Sequence, residues 1–179
     1  NNSVKIYMVI IMNKEKVLKI VKELIPYVII LIVVVLVRSF LVTPIIVNGP
    51  SMNPTLDGGE LMILNKLGKI DRYDIVVAKL DKKGYNEEII KRVIGMPGDR
   101  IVCENGVVYV NGKKIKEKYI QGTTPDFKGI TLEDDEYFIM GDNRENSLDS
   151  TELGAFKSEK IKGTTNIVLF PFSSFGKVS

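Results

Sequence analysis

The 179-residue sequence predicts a mainly β, antiparallel domain carried behind a single N-terminal transmembrane helix. Three features predict it: one long apolar run near the start, a series of short apolar segments beyond residue 43, and two Asn-Gly pairs within one of those segments. Short runs bounded by Gly, Pro, Asn and Asp read as strands, and Asn-Gly is a strong signal for a tight hairpin.

The apolar run, Leu24–Val42, reads LIPYVIILIVVVLVRSFLV and has 19 residues. As a helix it is about 28 Å long, close to the roughly 30 Å of a bilayer's hydrocarbon core. Arg38 and Ser39 interrupt it only near its end, where an arginine can reach the interface. Pro26 is expected in the first turn, where a missing N–H does little harm. A cleaved leader would show a shorter apolar core followed by small residues, and SFLVTPIIV lacks that pattern. Lys5, Lys14, Lys16, Lys19 and Lys22 precede the run, and after Arg38 the next basic residue is Lys66. The positive-inside rule then makes residues 1–23 cytoplasmic, 24–42 a single membrane crossing and 43–179 an extracytoplasmic domain at the cell membrane.

In that domain, Ile75–Leu80 and Ile89–Ile94 flank the polar DKKGYNEE and form a long hairpin. RIVCENGVVYVNGKKI, with Asn105-Gly106 and Asn111-Gly112, forms a three-stranded meander. Glu136–Gly141 and Thr164–Phe170 add two strands, and Ser150–Phe156 has room for a helical turn.

Composition removes several function classes. There is no histidine, so no Ser-His-Asp triad can be assembled, and zinc sites that depend on His and Cys lose their donors. The single cysteine, Cys103, reads as a small buried apolar residue. Residues 1–24 carry a net charge of +3, and the remainder is balanced with 20 basic and 20 acidic residues. Such a balance is not the footprint of a nucleic-acid binder, which concentrates basic charge in its folded part.

Period-two alternation in IIKRVI puts Ile89, Lys91 and Val93 on one face and Ile90, Arg92 and Ile94 on the other. Two readings of Lys91 stand at this point. It is a charged guard on an edge strand, or it is a desolvated amine whose pKa is lowered by burial. A lysine neutral near pH 7 is a competent general base and answers the missing histidine. The corner NGPSMNPTL, Asn48–Leu56, offers a serine between two prolines. That serine is a turn residue or the nucleophile such a base would serve.

GPSMNPTL, KRVIGMPGD (Lys91–Asp99) and GDNRENSLDS (Gly141–Ser150) occur in that order behind the apolar run. Together they resemble the type I signal peptidases of the compact Gram-positive type, a family of membrane-anchored, all-β Ser/Lys proteases. The resemblance implies Ser51 as nucleophile, with its backbone N–H in the oxyanion hole, and Lys91 as general base. It further implies that Ser147 orients the lysine amine, that Asp142 pairs with Arg92, and that Asp149 buttresses the turn. Ile45, Val47, Gly49, Met52 and Ile90 are the substrate-binding candidates, by alternation and resemblance. Ordinary core packing is their other role. Two departures from the family pattern stand out. Thr151 occupies a position where many relatives carry an arginine facing the Asp149 position. Gly49 occupies one where larger relatives carry a serine that assists the oxyanion hole.

The resemblance implies secretory preproteins as partners, cut after small residues in an A-x-A pattern, with no metal or cofactor. Ser51 lies nine residues past the apolar run, which suits cleavage close to a membrane. Met52 and Phe170–Phe175 are candidates for lipid contact, and core packing explains them equally. Another Ser/Lys peptidase, or a catalytically dead tethered β domain, stands as the alternative.

Overall fold

The computed structural model describes residues 2–81 and 84–178. The chain forms two compact units, residues 1–41 and 42–179. The first is one helix, α1 (Asn2–Phe40). Its stretch Lys14–Ser39 is long and apolar enough to cross a membrane, and none of it is buried against protein. A helix apolar on all sides needs an apolar solvent, which lipid supplies. The helix begins well before Leu24, so the charged segment and the apolar run belong to a single element. Pro26 consequently lies in the helix interior and not in its first turn. Its ring removes only one backbone donor, and the continuing apolar sequence keeps both sides helical.

The second unit is built of strands β1 (Val42–Ile46), β2 (Leu61–Asn65), β3 (Ile75–Leu80), β4 (Glu87–Gly95), β5 (Arg100–Glu104), β6 (Val107–Val110), β7 (Lys113–Lys114), β8 (Phe127–Thr131), β9 (Glu136–Met140), β10 (Phe156–Lys157), β11 (Ile161–Phe170) and β12 (Gly176–Lys177). A short helix, α2 (Ser150–Leu153), sits between β9 and β10. The larger sheet runs β1-β2-β11-β3-β4-β9-β10 with β12 beside β11, and the smaller runs β7-β6-β5-β8. Every pairing between named strands is antiparallel.

The hairpins stand where the turn chemistry puts them. Asn105 and Gly106 have φ of 53° and 74°, and Asn111 and Gly112 have 51° and 74°. Two consecutive left-handed residues match the right-handed twist of the strands they join. Cys103 is buried in the cluster that joins the two sheets, among Ile94, Ile101, Val108, Phe138 and Met140. Burial pushes its thiol up to about 11, so it stays a protonated core residue.

Two pairing facts position the site. β1 is an edge strand, hydrogen-bonded to β2 alone. β4 is interior only in part: β9 pairs with it from Arg92 onward, opposite Met140, whereas residues 87–91 pair with β3 only. Lys91 therefore sits at the last residue before the second neighbour begins.

Candidate active site

Lys91 is only 3% exposed, which removes the edge-guard reading. Its register partner on β3 is Val76, itself fully buried. From there Lys91 Nζ donates to Ser51 Oγ at 2.7 Å. Desolvation lowers the amine from 10.5 to about 8, against the opposing pull of Asp149, Glu87 and Asp142. An ammonium taken out of water loses hydration that these carboxylates only partly replace. At pH 7 roughly one lysine in ten is then neutral, a gain of about 300-fold over an unperturbed amine.

Ser51 is held by its surroundings. Pro50 accepts from Asn53 N, and Met52 O accepts from Leu56 N, so the corner is a tight turn. Met52 and Leu56 are 1% exposed and root it in a cluster with Val47, Met62, Ile75 and Val168. Across the sheet, Asn143 N donates to the Ser51 carbonyl at 3.0 Å, and Asn143 Nδ2 donates to the Pro50 carbonyl at 3.2 Å. Gly141 is what allows this approach. A β-carbon there would fall 2.5 Å from the Ser51 carbonyl oxygen and closer still to Ser147 Oγ.

The turn after β9 is organised by two buried carboxylates. Asp142 receives Arg92 in a bidentate pair, Nε to Oδ1 at 2.9 Å and Nη2 to Oδ2 at 2.7 Å. Arg92 Nη1 also donates to the Tyr73 carbonyl at 2.9 Å, Thr55 Oγ1 donates to Asp142, and the guanidinium lies 4.1 Å from the Tyr119 ring centre. Asp149 accepts four donors: Gly141 N at 2.8 Å, Ser147 Oγ at 2.6 Å, Thr151 N at 3.0 Å and Thr151 Oγ1 at 2.8 Å. Thr151 thus supplies a neutral donor to Asp149 where an arginine was expected to be missed. The Ser147 hydroxyl is spent on Asp149, and the bond of Lys91 goes to Ser51. Ser147 is linked to the lysine through the charge of Asp149.

The substrate-binding candidates divide. Val47 and Met52 are 2% and 1% exposed, core residues with almost no surface to offer. Met52 as a lipid contact is therefore overturned. Ile45 and Ile90 are half-buried and pack against that core. Gly49 is exposed with φ +80°, and no atom lies within 4 Å of where its side chain would be. Phe170, Phe172 and Phe175 are exposed, at 53%, 81% and 64%.

Two supporting residues escaped the reading of the sequence. Glu60, 6% exposed, accepts from Asp57 N at 2.7 Å and Gly58 N at 2.8 Å and fixes the turn that abuts the Gly49 carbonyl. The signal was available: an acidic residue directly after Asp-Gly-Gly suits capture of exposed turn N–H groups. Tyr119, beneath Arg92, carried none.

A model of the family described as signal peptidase, peptidase S26, matches residues 20–170. The chain belongs to this family. Signal peptidase I of Bacillus amyloliquefaciens is 40% identical over 162 residues, covering 82% of this chain and 85% of that protein. Signal peptidase I S of Bacillus subtilis (strain 168) is 38% identical over 169 residues, with 85% and 90% covered. Signal peptidase I P of Bacillus subtilis subsp. natto is 38% identical over 186 aligned positions, with 93% and 99% covered. A crystal structure of a signal peptidase I from Enterococcus faecalis V583 shares 27% identity at a TM-score of 0.49, over 54% of this chain and 97% of that one. As a member of the signal peptidase family the chain is a hydrolase that acts on peptide bonds. Its apolar N-terminal helix fits membrane anchoring.

Proposed function

We propose that this signal peptidase family member removes signal peptides with Ser51 as nucleophile and Lys91 as general base. The observation that carries the reading is the 2.7 Å contact between Lys91 Nζ and Ser51 Oγ, made by an amine that burial brings down to about 8. Nothing in the fold or among the relatives favours an inactive tethered domain.

Neutral Lys91 takes the Ser51 hydroxyl proton as Oγ attacks the carbonyl carbon of the scissile bond. The resulting oxyanion faces the Ser51 backbone N–H, a type of donor worth about 3–4 kcal/mol. Gly49 leaves no side-chain hydroxyl to add a second. The Lys91 ammonium then returns its proton to the departing amine, leaving an ester on Ser51. Lys91, neutral again, deprotonates a water that hydrolyses the ester and frees the serine. Ile45 and Ile90 present branched aliphatic surface to the residues before the cut, leaving shallow space that suits small side chains. The free edge of β1 and the singly paired half of β4 offer unpaired backbone to an extended peptide. The lysines at the start of α1 support, by the positive-inside rule, a cytoplasmic N-terminus with residues 43–179 outside, where preproteins emerge.

The test is cleavage of an A-x-A-type preprotein in detergent micelles by the full chain and by Ser51→Ala and Lys91→Ala. Cleavage after the small residue by wild type alone, with both variants folded, supports the assignment. Substantial activity in Lys91→Ala sinks it.

A further inference from the structure

The Ser51 N–H is the donor that the chemistry above offers to the oxyanion, and Gly49 adds no side-chain hydroxyl beside it. Where that N–H points therefore decides how well the new charge is held. Among the described residues it has no hydrogen-bond acceptor of its own. It belongs to the peptide unit shared with Pro50, which is flat, with C=O and N–H on opposite edges. Whatever fixes the Pro50 carbonyl also aims the Ser51 N–H.

Two groups hold that carbonyl. Asn53 N donates to it at 3.1 Å from within the turn, and Asn143 Nδ2 donates to it at 3.2 Å from outside the turn. The backbone of Asn143 is itself pinned on every side. Its N–H donates to the Ser51 carbonyl at 3.0 Å, and its carbonyl accepts from Asn146 N at 3.1 Å. On either side of it, Gln121 N donates to the Asp142 carbonyl at 2.8 Å and Arg144 N donates to the Gln121 carbonyl at 2.9 Å. The half-buried side-chain amide is thus presented from a fixed point, and all these backbone bonds survive its removal. A donor on a peptide oxygen also polarises the unit, which makes the N–H at its other edge a stronger donor.

We infer that Asn143 is a positioning residue for the oxyanion: its side-chain amide fixes the Pro50–Ser51 peptide and aims the Ser51 N–H at the oxygen of the scissile carbonyl. The inference rests on Ser51 as the nucleophile. Asn143 touches no reacting atom. Its effect grows as charge develops on that oxygen, so it acts on kcat and leaves KM alone.

The test uses the full chain in micelles with Asn143→Ala and with Asn143→Asp, which has the same size but no donor. For an A-x-A peptide, kcat should fall about tenfold in Asn143→Ala, the worth of one hydrogen bond. KM and the midpoint of the pH profile should stay where they are in the wild type. Asn143→Asp sets a second acceptor against the carbonyl and should lose at least as much on the high-pH plateau. It carries the test if Asn143→Ala does not fold. A peptide aldehyde ending in the same small residue reports on the oxyanion directly. Ser51 Oγ adds to the aldehyde carbon, Lys91 takes the hydroxyl proton, and the carbonyl π pair moves onto oxygen. The matched peptide alcohol cannot add. Asn143→Ala should weaken binding of the aldehyde about tenfold and leave that of the alcohol unchanged. An unchanged kcat, a shifted pH midpoint, or equal losses for aldehyde and alcohol would overturn the inference. If Ser51→Ala binds the aldehyde as tightly as the wild type does, the Ser51 reading itself falls, and this inference falls with it.

Discussion

Lys91 Nζ and Ser51 Oγ lie 2.7 Å apart although 40 residues separate them in the chain. In the proposed role of base Lys91 must be neutral to accept the serine proton, and its burial brings it to about 8. We therefore expect kcat/KM to rise tenfold per pH unit below about 8 and to level off above it. A pH profile of peptide cleavage in micelles checks this, and a flat profile between pH 6 and 9 would argue against Lys91 as the base.

The same burial carries a cost in stability with a defined sign. The folded-state value of about 8 lies below the 10.5 of an unfolded lysine, so between those values the unfolded chain holds the extra proton. Stability rises with pH across that window, and the full penalty, about 3 kcal/mol, is present below it. Lys91→Met removes the penalty together with one hydrogen bond worth about 1 kcal/mol. The variant should be more stable than wild type by about 2 kcal/mol at pH 6.5 and slightly less stable, by no more than the lost hydrogen bond, at pH 10.5. Denaturant unfolding at the two pH values measures it.

Arg92 and Asp142, 1% and 0% exposed, depend on each other. Removing one partner leaves a buried charge uncompensated, so Asp142→Ala should cost about 3–5 kcal/mol. Replacing both by apolar residues, Arg92→Met with Asp142→Leu, should recover much of that loss. Thermal unfolding of the single and double variants is the comparison. A double variant no more stable than Asp142→Ala would show that the hydrogen bonds to Tyr73 and Thr55 matter more than the charge.

The parts of this molecule legible in its sequence are those with local causes. Both Asn-Gly turns and the β3–β4 hairpin follow from residues within a few positions of each other. β1 was hidden because Pro44 interrupts its pattern and the apolar run overlaps its first residue. β8, FKGIT, is too mixed to show alternation. The two readings of Lys91 could not be separated by periodicity. Whether a strand is an edge depends on where β9 joins it, and β9 lies far along the chain. Alternation did separate Lys91 from Arg92, since Ile89 and Val93 pack in one cluster while Ile90 packs in another. The three motifs brought Ser51 and Lys91 into view as candidates through resemblance, but Thr151 as a donor to Asp149 and Glu60 as a clamp needed coordinates.

Gly141 offers the sharpest test of how closely the site is packed. A methyl group there would overlap both the Ser51 carbonyl and Ser147 Oγ, and the first of these is backbone that cannot rotate away. Relief requires the turn that carries Ser51 to withdraw from β9, which lengthens the Ser51–Lys91 contact. Displacements of about 1 Å at a reacting centre can cost about 100-fold in rate. Gly141→Ala should therefore lower kcat/KM by that order or more. Gly112→Ala provides the control: its φ of 74° strains the substitution, but no atom lies within 4 Å of its missing side chain. The control should lose about 1 kcal/mol of stability and keep its rate. If Gly141→Ala cleaves as fast as the control, the turn after β9 does not fix the position of Ser51.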